Sequence, residues 1–440
     1  MRRAIIAALL TFALPLAAME RQPVGHYRAR REKLAAKLGQ GVLILFANTE
    51  EEGQNSSGRF RQDNDFYYLT GWNEPGAGLL IAPKSDARPY TEVLFLAARN
   101  VSQERWTGPK LTAASPEAPR LTGFDSVQSL DRMREELVRI LPTPRVTIYT
   151  SMSESGSTPS TTPINWLRRA NAFPNYVTFT NCGSMIAELR LIKDAGEIAL
   201  LRKAADATVA AHRAALAAMR PGLNENEMAG IIEFEYRRRG CGAGFTSIVG
   251  SGINSTVLHY GANDSTIADG DLVVMDIGAG CSLYVSDVTR TVPANGRFTP
   301  RQREIYDIVL GAQQAAVKAF QSGKSIIRGT AEPSLHKVTT DYINSHGKDL
   351  KGQTLGQYFI HGTSHYVGLE LHDAGSPTTP LQPGAVFTIE PGIYIPEEKI
   401  GVRIEDTYLV RENGTLECLS CDAPKDPEMI EQLMRGAARR

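Results

Sequence analysis

The chain reads as an α/β (α+β) protein of two domains, a smaller N-terminal α/β domain followed by a larger C-terminal one. Three observations predict this. Its 440 residues exceed a single domain of roughly 150 residues. Short apolar runs alternate with stretches of helical spacing from about residue 24 to 181, and near residue 185 the pattern changes to a long Ala/Leu/Arg-rich helical stretch. The 48 basic and 48 acidic side chains cancel to a net charge of 0, while 42% hydrophobic and 22% charged residues are ordinary globular usage. That balance argues against a nucleic-acid partner, an acidic tail, disorder and a bundle of membrane spans.

Residues 1–18 form the first element. Arg2 and Arg3 precede an apolar run from Ala4 to Met19, too short for a membrane span and suited to a signal peptide. The expected location is therefore periplasmic or secreted, with no stable membrane span in the mature chain; the alternative is a cytoplasmic protein whose true start is Met19. Helical spacing follows over Arg28–Leu38 and Asp131–Leu141, and strands are expected at Gly41–Ala47, Gly78–Ala82 and Glu92–Ala97. Ser151–Pro163 is rich in Ser, Thr, Gly and Pro and reads as an exposed loop. The domain boundaries are set at 24–185 and 186–440. The second domain opens on a long helix pattern over Glu188–Met219, stopped by Pro221-Gly222. A helix at Glu225–Arg239, strands at Leu272–Ile277 and Leu283–Val292, a helix at Arg301–Gln321 and strands at Ala385–Glu390 and Val402–Val410 complete it.

The chemistry is concentrated in that second domain. In DLVVMDIGAGCSLYVSDVTRTV, a hairpin centred near Cys281 and Ser282 would set Asp276 and Asp287 opposite each other. Facing aspartates in an apolar hairpin call for a cation or a shared proton, the alternative being that both face solvent or cap turns. Glu390 ends the apolar strand of VFTIEPG, where a buried carboxylate needs a partner. In VRIEDTYLV, Arg403 and Glu405 share one strand face and Asp406 points the other way; a simple Arg403–Glu405 ion pair is the plain reading. One arginine does not neutralise four buried carboxylates. Three of the eight histidines, His361, His365 and His372, fall in HGTSHYVGLELHD, and His259 follows a strand-like run. His26, His212, His336 and His346 are left as ordinary hydrogen-bonded residues. One histidine with four carboxylates makes an oxygen-rich site suited to Mn²⁺, Mg²⁺ or Co²⁺, with room for two ions. Five cysteines are too few for a disulfide scaffold, their odd number leaves at least one unpaired, and the lone Cys418-x-x-Cys421 pair reads as structural or incidental.

These segments, with YVSDVTRTVPANGRFTPRQREIYDIVL, TIEPGIYI and GVRIED, resemble the pita-bread metallopeptidases, and specifically their aminopeptidase P branch. RFRQDNDFYYLTGWNEP and VLFLAARNVSQERWTGPKL are similar to that branch's N-terminal domain, so the resemblance covers nearly the whole chain after the leader. It implies an aminopeptidase P-like N-terminal domain and a C-terminal pita-bread catalytic domain. It also implies metal ligands at Asp276, Asp287, His365, Glu390 and Glu405, with Asp287 and Glu405 bridging two divalent ions, usually Mn²⁺, with Co²⁺ or Zn²⁺ as alternatives. His259, His361 and His372 would line the site around the scissile bond, Glu390 would assist proton transfer, Arg403 would support the ligands, and Tyr394 and Trp106 would contact substrate. The implied activity is release of the N-terminal residue from peptides whose second residue is proline, by a homo-oligomer. An Xaa-Pro dipeptidase (prolidase) and a non-catalytic peptide-binding protein are the alternatives. The leader, the 151–163 loop and CLSCD near the end depart from the family pattern without touching the ligands.

Overall fold

The strand Val42–Phe46 is apolar at every position, a composition that fits a sheet covered on both faces. In the computed structural model, which describes residues 20–50, 60–85, 89–140, 146–152 and 177–437, this strand lies within a six-stranded mixed sheet. The spatial order is Ser126–Ser129, Glu92–Leu96, Gly78–Ile81, Val42–Phe46, Thr147–Thr150, Thr178–Asn181. Leu43 and Leu45 join a cluster with Leu34, Phe66 and Tyr67, while Val42 and Ile44 pack with Met133 and Leu137 on the opposite face. Arg31 of the helix Val24–Leu38 is buried but paired, with Glu92 accepting from it at 2.6 and 2.8 Å. The expected signal peptide and all but the first two residues of the 151–163 loop lie outside the described residues.

The second half is built from small antiparallel sheets backed by helices. The strands Ile248–Ser251, Leu272–Ile277 and Val288–Pro293 form one, and Val386–Ile389, Asp406–Val410 and Leu416–Cys418 another. A two-stranded ribbon, Gly392–Ile395 with Ile400–Arg403, completes the set that surrounds the site. The helices Ala195–Ala218, Glu225–Arg237 and Pro300–Ala319 bury their apolar faces in one core with the first of these sheets and the ribbon, while Phe387, Ile389, Tyr408 and Val410 of the other sheet form a separate cluster. The two halves are tied by partly buried polar contacts. Arg30 donates to Asp194 at 2.7 Å, and Arg61 donates to the Leu369 carbonyl at 2.5 Å.

Three sequence expectations need correction. The helix pattern over Glu188–Met219 is two helices, Gly183–Leu191 and Ala195–Ala218, because Asp194 and Glu197 form a capping box that starts a new helix inside the periodic run. The hairpin between the aspartates is centred one residue later than expected, on Ser282 and Leu283, both of which have positive φ as a tight two-residue turn requires. Asp276 therefore faces Thr289, and Asp287 is its diagonal neighbour on the same face. The strand expected over Val402–Val410 breaks between Arg403 and Asp406, so Arg403 and Glu405 do not form the ion pair that a continuous strand allows; Arg403 pairs with Asp276 at 2.6 Å. Four cysteines are disulfide-bonded, as Cys241–Cys281 and Cys418–Cys421, and Cys182 is free and buried.

Gly278 follows the strand carrying Asp276, where an added Cβ would meet the Ser286 carbonyl oxygen at 1.9 Å and the Phe245 ring at 2.4 Å. The backbone oxygen cannot swing aside. Gly278→Ala is expected to destabilise the fold by about 3 kcal/mol, the upper end for overpacking, and to weaken divalent-cation binding. Urea denaturation and calorimetric titration with Mn²⁺ check both effects; unchanged affinity would show that the two aspartates keep their spacing despite the clash.

Candidate metal centre and active site

Four of the five candidate ligands come from places where strands end or break, and the fifth from a loop held against a strand. Asp276 lies near the end of Leu272–Ile277, Asp287 just before Val288–Pro293, and Glu390 just after Val386–Ile389. Glu405 occupies the break before Asp406–Val410, and His365 sits in a loop whose backbone joins the Val386–Ile389 strand through Thr388 N donating to the His365 carbonyl at 2.9 Å. All five line one cavity of about 740 Å³. Strand ends put short carboxylates there on backbone that the sheets hold rigid.

Ligand atoms of Asp287, His365 and Glu405 all lie within 4.8 Å of one another. His365 Nε2 is 3.3 Å from Asp287 and 3.4 Å from Glu390. Its Nδ1 lies 3.0 Å from the Tyr366 carbonyl, which fixes that nitrogen as the donor and leaves Nε2 free to ligate. Asp276 Oδ1, Asp287 Oδ1 and Glu405 Oε1 are buried without any hydrogen-bond partner, although their sister oxygens on Asp276 and Glu405 are held by Arg403 at 2.6 Å and Thr289 at 2.7 Å. Buried unpaired carboxylate oxygens are costly, and several of them facing one space fit a divalent cation. This donor set, four carboxylates and one imidazole, suits a hard or borderline ion.

The electrostatics carry the same mark. Burial, then repulsion from Asp276, raises Asp287 to about 6; burial and the nearby carboxylates raise Glu390 to about 7 and Glu405 well above the usual range. Burial alone would lower His365, but hydrogen bonding to Asp287 and the charges of Glu390 and Asp287 outweigh it and raise it to about 9.

The remaining candidates surround this core. His372 stacks on His365, ring centroids 4.0 Å apart and 11° from parallel. His259 is exposed at the cavity wall. His361 is held at about 4 by burial and the Arg403 charge, so it is neutral at pH 7, and its Nδ1 lies 2.8 Å from the Gly362 carbonyl. With Nδ1 as donor, its Nε2 accepts from the Tyr394 hydroxyl at 2.8 Å, and that hydroxyl accepts from Arg403 at 2.8 Å. His361, Tyr394, Arg403 and Asp276 are thus one chain of hydrogen bonds. Tyr394 is buried and is not among the side chains lining the cavity, and Trp106, 90% exposed on the helix Val101–Thr107, does not line this cavity within the chain. His26, His212, His336 and His346 stay outside the cavity lining.

Two contributors were not anticipated from sequence. Thr289 donates to Glu405 and accepts from Arg403 Nε at 3.1 Å; its position two residues after Asp287 on the same strand face is the signal that could have found it. Glu225, fully buried, accepts from Ser251 N, Ser251 Oγ, Asn254, Tyr260 and Ser265 N, all at 2.7–3.2 Å, and so ties down the loop that carries His259. Nothing local in its helix sequence distinguishes it from a surface glutamate.

Residues 199–412 match the model of metallopeptidase family M24, and residues 27–149 match that of the aminopeptidase P N-terminal domain. The Xaa-Pro aminopeptidase of Escherichia coli is 34% identical over 437 residues, spanning 94% of this chain and 98% of its own. The chain belongs to metallopeptidase family M24. Human Xaa-Pro aminopeptidase 3 is 32% identical over 94% of this M24 chain and 86% of its own length. Among solved structures, Pseudomonas aeruginosa aminopeptidase PepP superposes with a TM-score of 0.83 at 30% identity, covering 96% of this chain and 100% of that one. Escherichia coli aminopeptidase P with the inhibitor Pro-Leu gives 0.82 at 31%, with the same coverage. As an M24 metallopeptidase the protein uses divalent metal ions, and the oxygens left unpaired in its cavity are placed to receive them.

A pH signature of the ligand set stripped of metal follows from His365. Its folded pKa of about 9 exceeds the ordinary value near 6.5, so its contribution to stability is complete below about pH 6.5 and is lost as pH rises through 9. Glu390 and Glu405, also raised, lose stabilisation in the same direction, while His212, His361 and His372, all lowered, matter only below about pH 6.5. Chelator-treated protein is expected to lose about 2 kcal/mol between pH 7 and 9 in urea unfolding. Protein loaded with Mn²⁺ should not, because a ligating His365 is already neutral; parallel profiles would contradict its place in the ligand set.

Proposed function

We propose that the protein is an Xaa-Pro aminopeptidase, removing the first residue from peptides with proline at the second position. The observation that carries this is the convergence of the complete ligand set and three histidines on one cavity, in a chain that also has the aminopeptidase P N-terminal domain along 27–149. Asp276, Asp287, His365, Glu390 and Glu405 would hold two divalent ions, with Mn²⁺ the preferred metal for this oxygen-rich set. Such ions supply Lewis acidity, polarising a carbonyl oxygen and making water acidic enough to react near neutral pH.

The protein's own groups do the rest. Asp276, one oxygen held by Arg403 and the other free, gives the peptide's α-amine an anionic anchor at the acidic end of the cavity. Glu390, at the end of the Val386–Ile389 strand and lining the cavity, is placed to take and return a proton. His372, lowered to about 4 by burial and by neighbouring His365 and His259, stays neutral and can donate a hydrogen bond to the developing oxyanion or the proline imide carbonyl, as can His259. Arg403 and Tyr394 keep Asp276 and His361 in register. Capture of the free α-amine at Asp276 would restrict release to one residue.

A homo-oligomer is the proposed assembly, and Trp106, outside its own chain's cavity, is then available to an intersubunit surface. Export to the periplasm or beyond is the proposed location, on the basis of Arg2 and Arg3 followed by the apolar run to Met19. N-terminal sequencing of the protein recovered from its native cells checks the latter; an intact leader would oppose export.

Manganese-loaded protein given an equimolar Xaa-Pro dipeptide and Xaa-Pro-Yaa tripeptide is expected to release the tripeptide's first residue faster, read by mass spectrometry. Faster dipeptide loss would make it a prolidase, and no cleavage with metal confirmed in the sample would favour a peptide-binding role. Asp287→Asn should abolish turnover and metal loading together. His372→Ala should lower kcat by about 10²-fold or more with metal retained, the scale for loss of one oxyanion donor.

A further inference from the structure

His372 has no hydrogen bond to its ring among the described residues; only stacking on His365 and its backbone position orient it. The backbone at that point is anchored by the next residue. Asp373 is buried, and its two carboxylate oxygens are taken separately, Oδ1 by Arg190 at 2.5 Å and Oδ2 by Lys193 at 2.7 Å. Its amide donates to the Tyr366 carbonyl at 2.9 Å. The opposite wall is equally close, since a Cβ on Gly368 would meet Asp373 Oδ2 at 2.0 Å and Lys193 Cε at 3.0 Å.

Both cations come from the join between the two helices that the sequence read as one. Arg190 is in the last turn of Gly183–Leu191, and it also holds Asp65 of the N-terminal domain at 2.7 Å and Glu370 at 3.3 Å. Lys193 lies in the extended link, donates to the Arg190 carbonyl at 2.5 Å, and its amide donates to the Gly384 carbonyl at 2.9 Å. Its side chain is fully buried, 0% exposed, against a carboxylate 1% exposed. A buried ion pair of this kind is poor value as stability, because apolar residues of the same volume often serve as well or better. What it does supply is a fixed point one residue from a catalytic side chain.

We infer that Arg190 and Lys193 are positioning residues that set the placement of the His372 ring through Asp373, making the interdomain helix junction part of the active-site scaffold. This rests on the proposed reading in which His372 touches the peptide. The Asp373 carboxylate is held on two sides by elements of fixed geometry, so residue 372 can present its ring over His365 without a hydrogen bond of its own. Leaving the ring nitrogens uncommitted keeps them available for substrate.

The test is a double-mutant cycle on the manganese-loaded enzyme with an Xaa-Pro-Yaa tripeptide. Lys193→Met, which keeps the stem and removes the charge, is expected to lower kcat about tenfold with KM and metal content within twofold of wild type. In the His372→Ala background the same change should cost less than twofold, because residues acting through one group are not additive. Equal losses in both backgrounds, or a loss explained by lower metal content, would overturn the inference. If Lys193→Met does not fold, Asp373→Asn replaces it with the same expectation. If turnover of His372→Ala is too low to measure, a crystal structure of the singly substituted protein decides: displacement of the His372 ring from its 4.0 Å stack supports the inference, and an unmoved ring refutes it. Failure of wild-type enzyme to cleave the tripeptide would instead count against the proposed function, so the two failures are separable.

Discussion

Negative charge crowded into one cavity is the constraint around which the second domain is organised. Asp276, Asp287, Glu390 and Glu405 approach one another inside a sheet-lined cavity, and three of their oxygens have no donor. In a medium that screens poorly, this arrangement resists folding unless protons or cations intervene. Other features answer that repulsion from behind. Arg403 neutralises one edge, Thr289 bridges Arg403 and Glu405, and Arg290 donates to the Glu405 carbonyl at 2.6 Å while pairing with Asp406 at 2.7 Å. Asp406, the neighbour that points away, is held down at about 2: burial opposes this, but the Arg290 and Lys425 charges prevail. The two adjacent carboxylates Glu405 and Asp406 thus face opposite charge environments across a single peptide unit.

A second layer carries the other histidines of the cavity. They lie on loops, not on strands, and rigidity is conferred on those loops by buried ionic or multiply bonded groups set back from the cavity. Glu225 gathers five donors beneath the His259 loop, and Asp373 is locked beside His372. Ligands on strand ends and hydrogen-bond donors on anchored loops are two solutions to one requirement, placement to a fraction of an ångström. The first needs only sheet register. The second needs polar groups far apart in sequence.

That difference accounts for what could be read from the sequence. A continuous apolar run located the strand Leu272–Ile277 to the residue, and carboxylates at apolar strand ends marked Asp276, Asp287, Glu390 and Glu405, which line the cavity together with His365, a ligand that only the family resemblance implies. Local chemistry hid the rest. Helical spacing ran unbroken through Ile192–Asp194, because the interruption comes from capping by Asp194 and Glu197, not from a glycine or proline. Hairpin centring was missed by one residue because Ser282 and Leu283, neither a typical turn residue, adopt positive φ. Arg190, Lys193 and Glu225 carry no local sign of burial, since each partner lies in a distant segment: Asp373 is 183 residues from Arg190. Trp106 shows the converse, a residue singled out by resemblance that a single chain leaves outside the cavity.

The pairing of Cys241 with Cys281 and of Cys418 with Cys421 leaves one thiol, Cys182, at the start of the helix Gly183–Leu191. Burial raises it to about 12, so in the closed protein it is neither exposed nor ionised. Alkylation at that sulfur therefore requires the junction between the halves to open. The molecule carries its own clock for that motion: with a thiol reagent concentrated enough to outpace reclosing, the rate at which one equivalent is consumed is the opening frequency of the helix on which Arg190 rides, measured without introducing any probe.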